Sequence, residues 1–283
     1  MDVKRVASCS EDFSISSSQV KGYFSMSARH YHDKYEIYYL REGERFYFVK
    51  DSVFHIRKGC LVLIKAGQLH KTTDAEKPHH ERVLLYFRKA FIEAANNSTL
   101  RILELLDSKS YFVAELSIKE QRTVENLFAE MFREAEEKGD YYEICLQGLL
   151  LRLLANIGRY TRLTQAEDFL SSSPKHEKIS EVVRHINEHY IEELTIPLLA
   201  ESFYISPYYL SRIFKETTGF TLLEYINLTR VKAAEKLLIN TKIKVIEVAE
   251  KSGFGSVSQF NRVFKQITGC SPLNFRKAYN AYK

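Results

Sequence analysis

Between residues 196 and 269 the apolar positions recur at helical spacing, and one arrangement of them occurs twice. Leu210, Ile213 and Phe214 form the apolar stripe of the first copy; Phe260, Val263 and Phe264 form that of the second. Ser206 and Ser256 stand where a side-chain oxygen caps a helix, and Pro207 where a missing N–H costs nothing. Gly219 and Gly269 supply the left-handed stop. Arg212 and Lys215, like Arg262 and Lys265, fall on the side away from the stripe. A shorter apolar run precedes each copy, Ile196–Phe203 capped by Thr195 and then Val245–Ser252. Each copy therefore reads as helix, tight turn, helix, and a longer amphipathic run from Thr221 through Leu238 joins the two.

Upstream the pattern changes. Tyr35–Arg41, Arg45–Val49, Val53–Arg57, Leu61–Ile64 and Arg82–Phe87 are short, rich in aromatic and branched residues, and separated by Gly-, Ser- and Asp-containing turns. Strands at this spacing predict a sandwich or small barrel, whose interior is filled by side chains or holds one small ligand. Two helices follow. Val124, Leu127, Phe128, Met131, Phe132 and Ala135 lie on one face of the first. The second, Tyr141 to about Tyr160, has an apolar surface wider than one stripe, which predicts two packing partners. Leu150 and Leu154 are the positions expected to remain for a second subunit. The polar, aperiodic stretch from Thr161 to Lys178 reads as a linker.

The 283 residues suffice for two domains with separate cores. We place their boundaries at 1–162 and 178–283, with a linker over 163–177. Charge separates them as well. From Lys175 onward there are 16 Lys and Arg against 11 Asp and Glu, so the chain's formal excess of +5 lies in the last third, as a phosphate-facing surface requires. No apolar run is long enough to cross a bilayer, and no apolar segment follows the first charged residues. Cys9, Cys60, Cys145 and Cys270 show no paired metal spacing and read as reduced thiols. A cytoplasmic protein is expected.

The doubled unit resembles the DNA-binding domain of the AraC family of bacterial transcription regulators. The resemblance runs from about Ile179 to Tyr279 and rests on Ala200, Arg230, Ala233, Ala234, Val248, Ala249, Gly253, Phe254, Phe260, Arg262, Phe264, Lys265, Gly269, Ser271, Pro272, Phe275 and Arg276. It implies double-stranded DNA as partner, with two helices entering successive major grooves. Carried over onto this chain, Tyr208, Ser211 and Arg212, then Ser258, Asn261 and Arg262, are the expected base-edge contacts, and Lys215 and Lys265 the expected phosphate contacts. It also implies a small-molecule effector bound in the N-terminal domain, a homodimer formed through the helical pair, and RNA polymerase as a further partner if the protein activates.

The first half resembles a cupin barrel in two stretches, His30, His32, Glu36 and Gly43, then Gly59, Gly67 and His70. It departs from the cupin pattern at Lys65, where a proline is usual, at Asp74, where an asparagine is usual, and at Gly22, which lies too far before His30. Metal-binding cupins use two His, a Glu and a later His in these places, so the resemblance matches His30, His32, Glu36 and His70 to all four ligands. AraC-type regulators often keep remnants of this pattern around an organic effector, so no metal or other cofactor is expected. The effector site is instead assigned to His30, His32, Glu36, Tyr38, Arg41, Tyr47 and His70, whose rings and polar groups suit a carbohydrate. His55 is expected on the outer face, and His79 and His80 in a solvated loop. The fold class is then α+β in two domains: a cupin-like β-barrel with a helical pair, and an all-α domain of two helix-turn-helix units joined by a linker helix. The alternative from another class is a cupin metalloenzyme fused to a DNA-binding module. A ligand-responsive, non-enzymatic regulator is the reading these residues favour.

Overall fold

A computed structural model of the chain describes residues 2–22, 32–75, 79–92, 104, 109–160 and 173–281. They fall into two units, Met1–Ser172 and Ser173–Lys283. The first contains strands β1 (Asp2–Ser10), β2 (Phe13–Val20), β3 (Tyr35–Glu42), β4 (Glu44–Val49), β5 (Ser52–Arg57), β6 (Cys60–Ile64), β7 (His70–Asp74), β8 (His80–Phe87) and β9 (Tyr111–Glu115). Helices α1 (Ile118–Glu137) and α2 (Tyr142–Tyr160) follow. The strands form a six-stranded sheet in the order β1-β2-β8-β3-β6-β9 and a three-stranded sheet in the order β5-β4-β7.

Side chains alternate between the two faces of a strand, and that alternation divides the large sheet cleanly. Tyr35, Ile37 and Tyr39 of β3, with Val83, Leu85 and Phe87 of β8, join Val124, Phe128 and Phe132 of α1 and Leu146, Leu150 and Leu153 of α2 in one core. Tyr38 and Leu40 face the other way and pack with Tyr47 and Val49 of β4 and Phe54 and Ile56 of β5, between the sheets. Ser117 caps α1 and accepts from the Glu120 amide, while the Glu120 carboxylate accepts from the Ser117 amide at 2.7 Å.

Several expectations change here. Leu150 and Leu154 are 0% and 1% exposed inside the unit's own core and do not remain for a second subunit. Arg41 lies on the helix-facing side of β3, one residue out of phase with Tyr38 and Leu40, and its guanidinium meets Ser17 Oγ and Glu81 at 3.4 and 3.5 Å. His80 is buried and opens β8; it is not a solvated loop residue. His79 is exposed as expected, and its Nδ1 accepts from the Gly22 amide. His55 is half-buried, out of phase with the inward-facing Phe54 and Ile56, and bonds Glu44 at 3.1 Å.

The second unit is helical: α3 (Pro174–His189), α4 (Ile196–Ser202), α5 (Pro207–Thr218), α6 (Leu222–Asn240), α7 (Val245–Lys251), α8 (Val257–Thr268) and α9 (Pro272–Ala281). Helix α3 starts inside the stretch expected to be linker, because Pro174 takes the first helical position after Ser173. The expected caps are present: Ser206 accepts from the Tyr209 amide, Ser256 from the Gln259 amide, and Gly219 and Gly269 adopt φ of 77° and 85°.

The turns of the two repeats share one hydrogen-bond pattern. Tyr204 and Ile205 bond back to Glu201 and Ala200, as Gly253 and Phe254 bond back to Glu250 and Ala249. The residue that turns left-handed is Tyr204 (φ 56°) in the first repeat and Gly253 (φ 81°) in the second. A Cβ on Gly253 would lie 2.5 Å from the Tyr190 carbonyl oxygen and 2.8 Å from Ile191 Cα, both backbone atoms that cannot step aside. Arg230 braces the same place, donating to the carbonyls of Tyr190 and Glu192 at 2.8 Å each, with its guanidinium over the Phe254 ring. Gly253→Ala is therefore expected to destabilise the unit by at least ~2 kcal/mol, through left-handed strain and backbone overlap together. Tyr204→Gly should leave stability unchanged or raise it by about 1 kcal/mol, since the exposed ring packs on little and the strain is relieved. Urea melts of the two variants check this, and an unperturbed Gly253→Ala protein would refute the packing account.

Candidate effector site and DNA-reading helices

The polar cluster between the sheets is built from four strands and the residue that leads into one of them. Glu36 enters from β3, where alternation points it inward with Tyr38, and it is fully buried. Tyr47 on β4 donates its hydroxyl to Glu36 Oε1 at 2.8 Å. His70 opens β7 and brings Nε2 to 3.0 Å from Glu36 Oε2. His32, just before β3, brings its Nε2 to 3.2 Å from the same oxygen. Tyr86 of β8 closes the group, its ring meeting His32 edge-on at 4.9 Å between centroids. Of the residues assigned to an effector, His32, Glu36, Tyr38, Tyr47 and His70 share this face; Arg41 does not, and His30 lies outside the described residues. Tyr86 was not among the expected residues, although its alternation with Leu85 and Phe87 marks it as inward.

Burial pushes the Glu36 carboxyl upward, but the charge of His70 and the hydrogen bonds of His32 and His70 outweigh it and hold it well below the usual carboxylate range. Tyr47 is driven well above its ordinary value, first by burial and then by Glu36.

His32 Nδ1 faces the Lys34 carbonyl at 2.9 Å and His70 Nδ1 faces the Gln68 carbonyl at 2.8 Å. A carbonyl only accepts, so both Nδ1 atoms carry hydrogen. In a neutral ring each Nε2 then turns a lone pair toward the same ionised oxygen, which repels it. The arrangement is satisfied when both rings are imidazolium, or when a cation lies among the three donors. The donor atoms of His32, Glu36 and His70 all lie within 4.8 Å of one another. Two imidazoles oriented through Nδ1–H to backbone carbonyls, with one carboxylate, fit a divalent transition-metal ion.

In the second unit the sequence-derived DNA contacts form one face on each of α5 and α8. Tyr208, Ser211, Arg212 and Lys215 follow the spacing i, i+3, i+4, i+7, as do Ser258, Asn261, Arg262 and Lys265. Opposite them, Leu210, Ile213 and Phe214, and Phe260, Val263 and Phe264, are buried. Tyr208 is 79% exposed; Arg212, Lys215, Ser258, Asn261, Arg262 and Lys265 are exposed as well. Ser211 is half-buried, and its hydroxyl donates back to the Pro207 carbonyl at 2.8 Å.

The two faces differ in one electrostatic respect. Glu216 accepts from Arg212 at 3.2 Å and from Lys175 of α3 at 2.8 Å, and the Lys175 hydrogen bond above all holds it below the usual carboxylate range. The second repeat has Gln266 at this position. Glu216 thus tethers the first arginine and sets a negative charge on the face expected to meet phosphates. Glu216→Gln is expected to tighten DNA binding by about 0.5–1 kcal/mol, roughly two- to fivefold, with the gain shrinking as salt rises. Anisotropy titrations at two salt concentrations measure it; unchanged affinity would mean the tether is irrelevant in the complex.

Comparison with known proteins bears on both units. Residues 23–154 match a family described as an AraC-like ligand binding domain, and residues 199–278 one described as a helix-turn-helix domain. YfiF of Bacillus subtilis, an uncharacterised helix-turn-helix transcriptional regulator, is 27% identical over 90% of this chain and 80% of its own. The arabinose operon regulatory protein of Escherichia coli is 26% identical over 79% of this chain and 73% of its own. A crystal structure of ToxT from Vibrio cholerae covers 94% of this chain and 98% of its own at 15% identity, with a TM-score of 0.41. No helix among the described residues is long and apolar enough to cross a membrane. The protein is a member of the AraC family of DNA-binding transcription regulators, in which a β-rich ligand-binding domain precedes a helical helix-turn-helix region.

Proposed function

We propose that the N-terminal domain binds a polar small molecule, of carbohydrate type, between its two sheets, and that occupancy changes how α5 and α8 engage an operator. One observation carries this reading: His32, Tyr47 and His70 converge on the buried Glu36 carboxylate inside a ligand-binding domain, where apolar side chains would cost less to bury. The name of the arabinose operon regulator ties that relative to a sugar operon, which supports the carbohydrate class. An effector alters DNA affinity only by its differential binding to two arrangements of the protein, so its energetic signature is reciprocal: operator DNA should change effector affinity by the same factor. Selection of bound DNA from a random pool, repeated with candidate sugars, tests the proposal. Sequence enrichment that no sugar alters would leave a constitutive DNA binder. We further propose that Arg212 and Arg262 read bases while Lys215 and Lys265 hold phosphates, that the regulator acts as a homodimer, and that it meets RNA polymerase where it activates.

A second reading concerns the same cluster and is favoured by the imidazole accounting. His32, Glu36 and His70 would hold a divalent ion, which when bound would anchor an oxygen of the effector as a Lewis acid. Elemental analysis of protein purified without a histidine tag is the check. Near-stoichiometric metal, reduced at least tenfold in His70→Ala, is the expected result of this reading, and metal-free protein that still answers its effector would dismiss it.

A further inference from the structure

Two buried arginines face each other from opposite sheets, beyond the Glu36 cluster, and the proposed function does not use them. Arg45 of β4 is 0% exposed and pairs with Asp74 of β7, its neighbour across the small sheet. Arg82 of β8 is 2% exposed; it stands beside Leu40 and Ser18 in the large sheet and donates from Nε to Ser18 Oγ at 3.3 Å. Tyr38 lies between them and the Glu36 cluster. Its ring meets Tyr47 edge-on at 5.1 Å, and the Arg82 guanidinium lies 5.8 Å from the ring centroid. The Tyr38 hydroxyl is completely buried, and its hydrogen has no acceptor. Burial pushes that hydroxyl upward, against the charge of Arg82, then that of Arg45, and a hydrogen bond from Arg82, a donor that leaves the hydroxyl's own hydrogen without an acceptor.

A buried hydroxyl whose hydrogen has no acceptor is unfavourable unless the functional state supplies one. An acceptor placed against Tyr38 Oη would sit among two guanidinium groups in a medium of low dielectric. There an anionic acceptor is favoured over a neutral one, because charge-assisted bonds from arginine to carboxylate or phosphate are about twice as strong as neutral ones. Guanidinium is also the side chain suited to such oxyanions, by its planar fork and weak hydration. From this we infer that the effector carries an anionic group, carboxylate or phosphate, bound by Tyr38, Arg82 and Arg45, while its polar remainder reaches the Glu36 cluster. The effector class narrows from a carbohydrate to an acid-bearing one, a sugar acid or a sugar phosphate. The inference rests on the reading that effector binds between the sheets.

The test uses the full chain and the smallest carriers of the two groups, inorganic phosphate and acetate, titrated against chloride at matched ionic strength while the melting temperature is followed. Wild type, Tyr38→Phe and Arg82→Gln are compared, so anions held by the DNA-binding domain shift all three alike and cancel. Saturable stabilisation by one of the two anions is expected in wild type, and which one identifies the group. Its apparent Kd should rise about tenfold or more in either variant, the loss of one charge-assisted bond. Equal, non-saturating stabilisation of all three proteins would be surface exclusion of the salt and would overturn the assignment. An effector screen separates this failure from failure of the parent reading. A neutral sugar that binds wild type and both variants alike overturns the anionic group and keeps the effector site. Anion binding that leaves operator affinity unchanged keeps the anion site and overturns its effector role.

Discussion

Leu150→Asp is expected to unfold the N-terminal domain, not to dissociate an intact one. The side chain is fully buried in the core that α2 shares with α1 and the six-stranded sheet. Removing a buried leucine costs roughly 2–5 kcal/mol, and an unpaired carboxylate in its place adds several more. A domain of this size holds about 5–15 kcal/mol in total, so the sum consumes most or all of it. Leu154→Asp should behave in the same way. Ile144 on the same helix is 65% exposed, and Ile144→Asp should leave the fold intact. Thermal melts followed by near-ultraviolet circular dichroism, beside sedimentation, decide the matter. A cooperatively folded Leu150→Asp monomer would restore that residue to a subunit interface and contradict its burial here.

The error over Leu150 and Leu154 shows where local pattern stops. A helix with a wide apolar surface announces two partners, but periodicity does not say whether the second is another element of the same chain. Here the sheet and α1 together cover that surface. The strands divide along similar lines. β3, β4, β5, β6 and β8 were legible because branched and aromatic residues fill both of their faces. β7 was missed because its inward positions, His70, Thr72 and Asp74, are polar: the residues that make the site erase the signature of the strand. Strand β2 was missed because serine occupies four of its eight positions, and β1 because Asp2, Lys4, Arg5, Ser8 and Ser10 break up its apolar residues. Arg41 was misplaced by parity alone, since a residue three after an inward tyrosine must face outward. The helix-turn-helix repeats were legible almost completely, because caps, stripes and glycine stops are encoded within a few residues of one another. What resisted there was the tether: Glu216 is ordinary in sequence and acts through Lys175, which comes from another helix.

The difference between arginine and lysine on the faces of α5 and α8 proposed to meet DNA leads to the largest functional effects expected. An arginine that pairs bidentately with a guanine contributes about 1–3 kcal/mol of discrimination, and its loss is confined to one base pair. A lysine on phosphate contributes to every sequence alike, and removing it lowers the magnitude of the salt slope by about one. Arg262→Ala is therefore expected to weaken operator binding by roughly five- to a hundredfold and to flatten base preference at one position, with the salt slope nearly unchanged. Arg212→Ala should do the same at a second position, about one helical turn away, but by less. Its wild-type side chain must first leave Glu216, so part of what it gains on DNA is already spent. Lys215→Ala and Lys265→Ala should lower affinity for operator and random DNA equally. Measured on a library of single-base operator variants at two salt concentrations, these effects form two separable axes. If Arg262→Ala kept the wild-type base profile and only shallowed the salt slope, α8 would lie along the backbone and not in the groove.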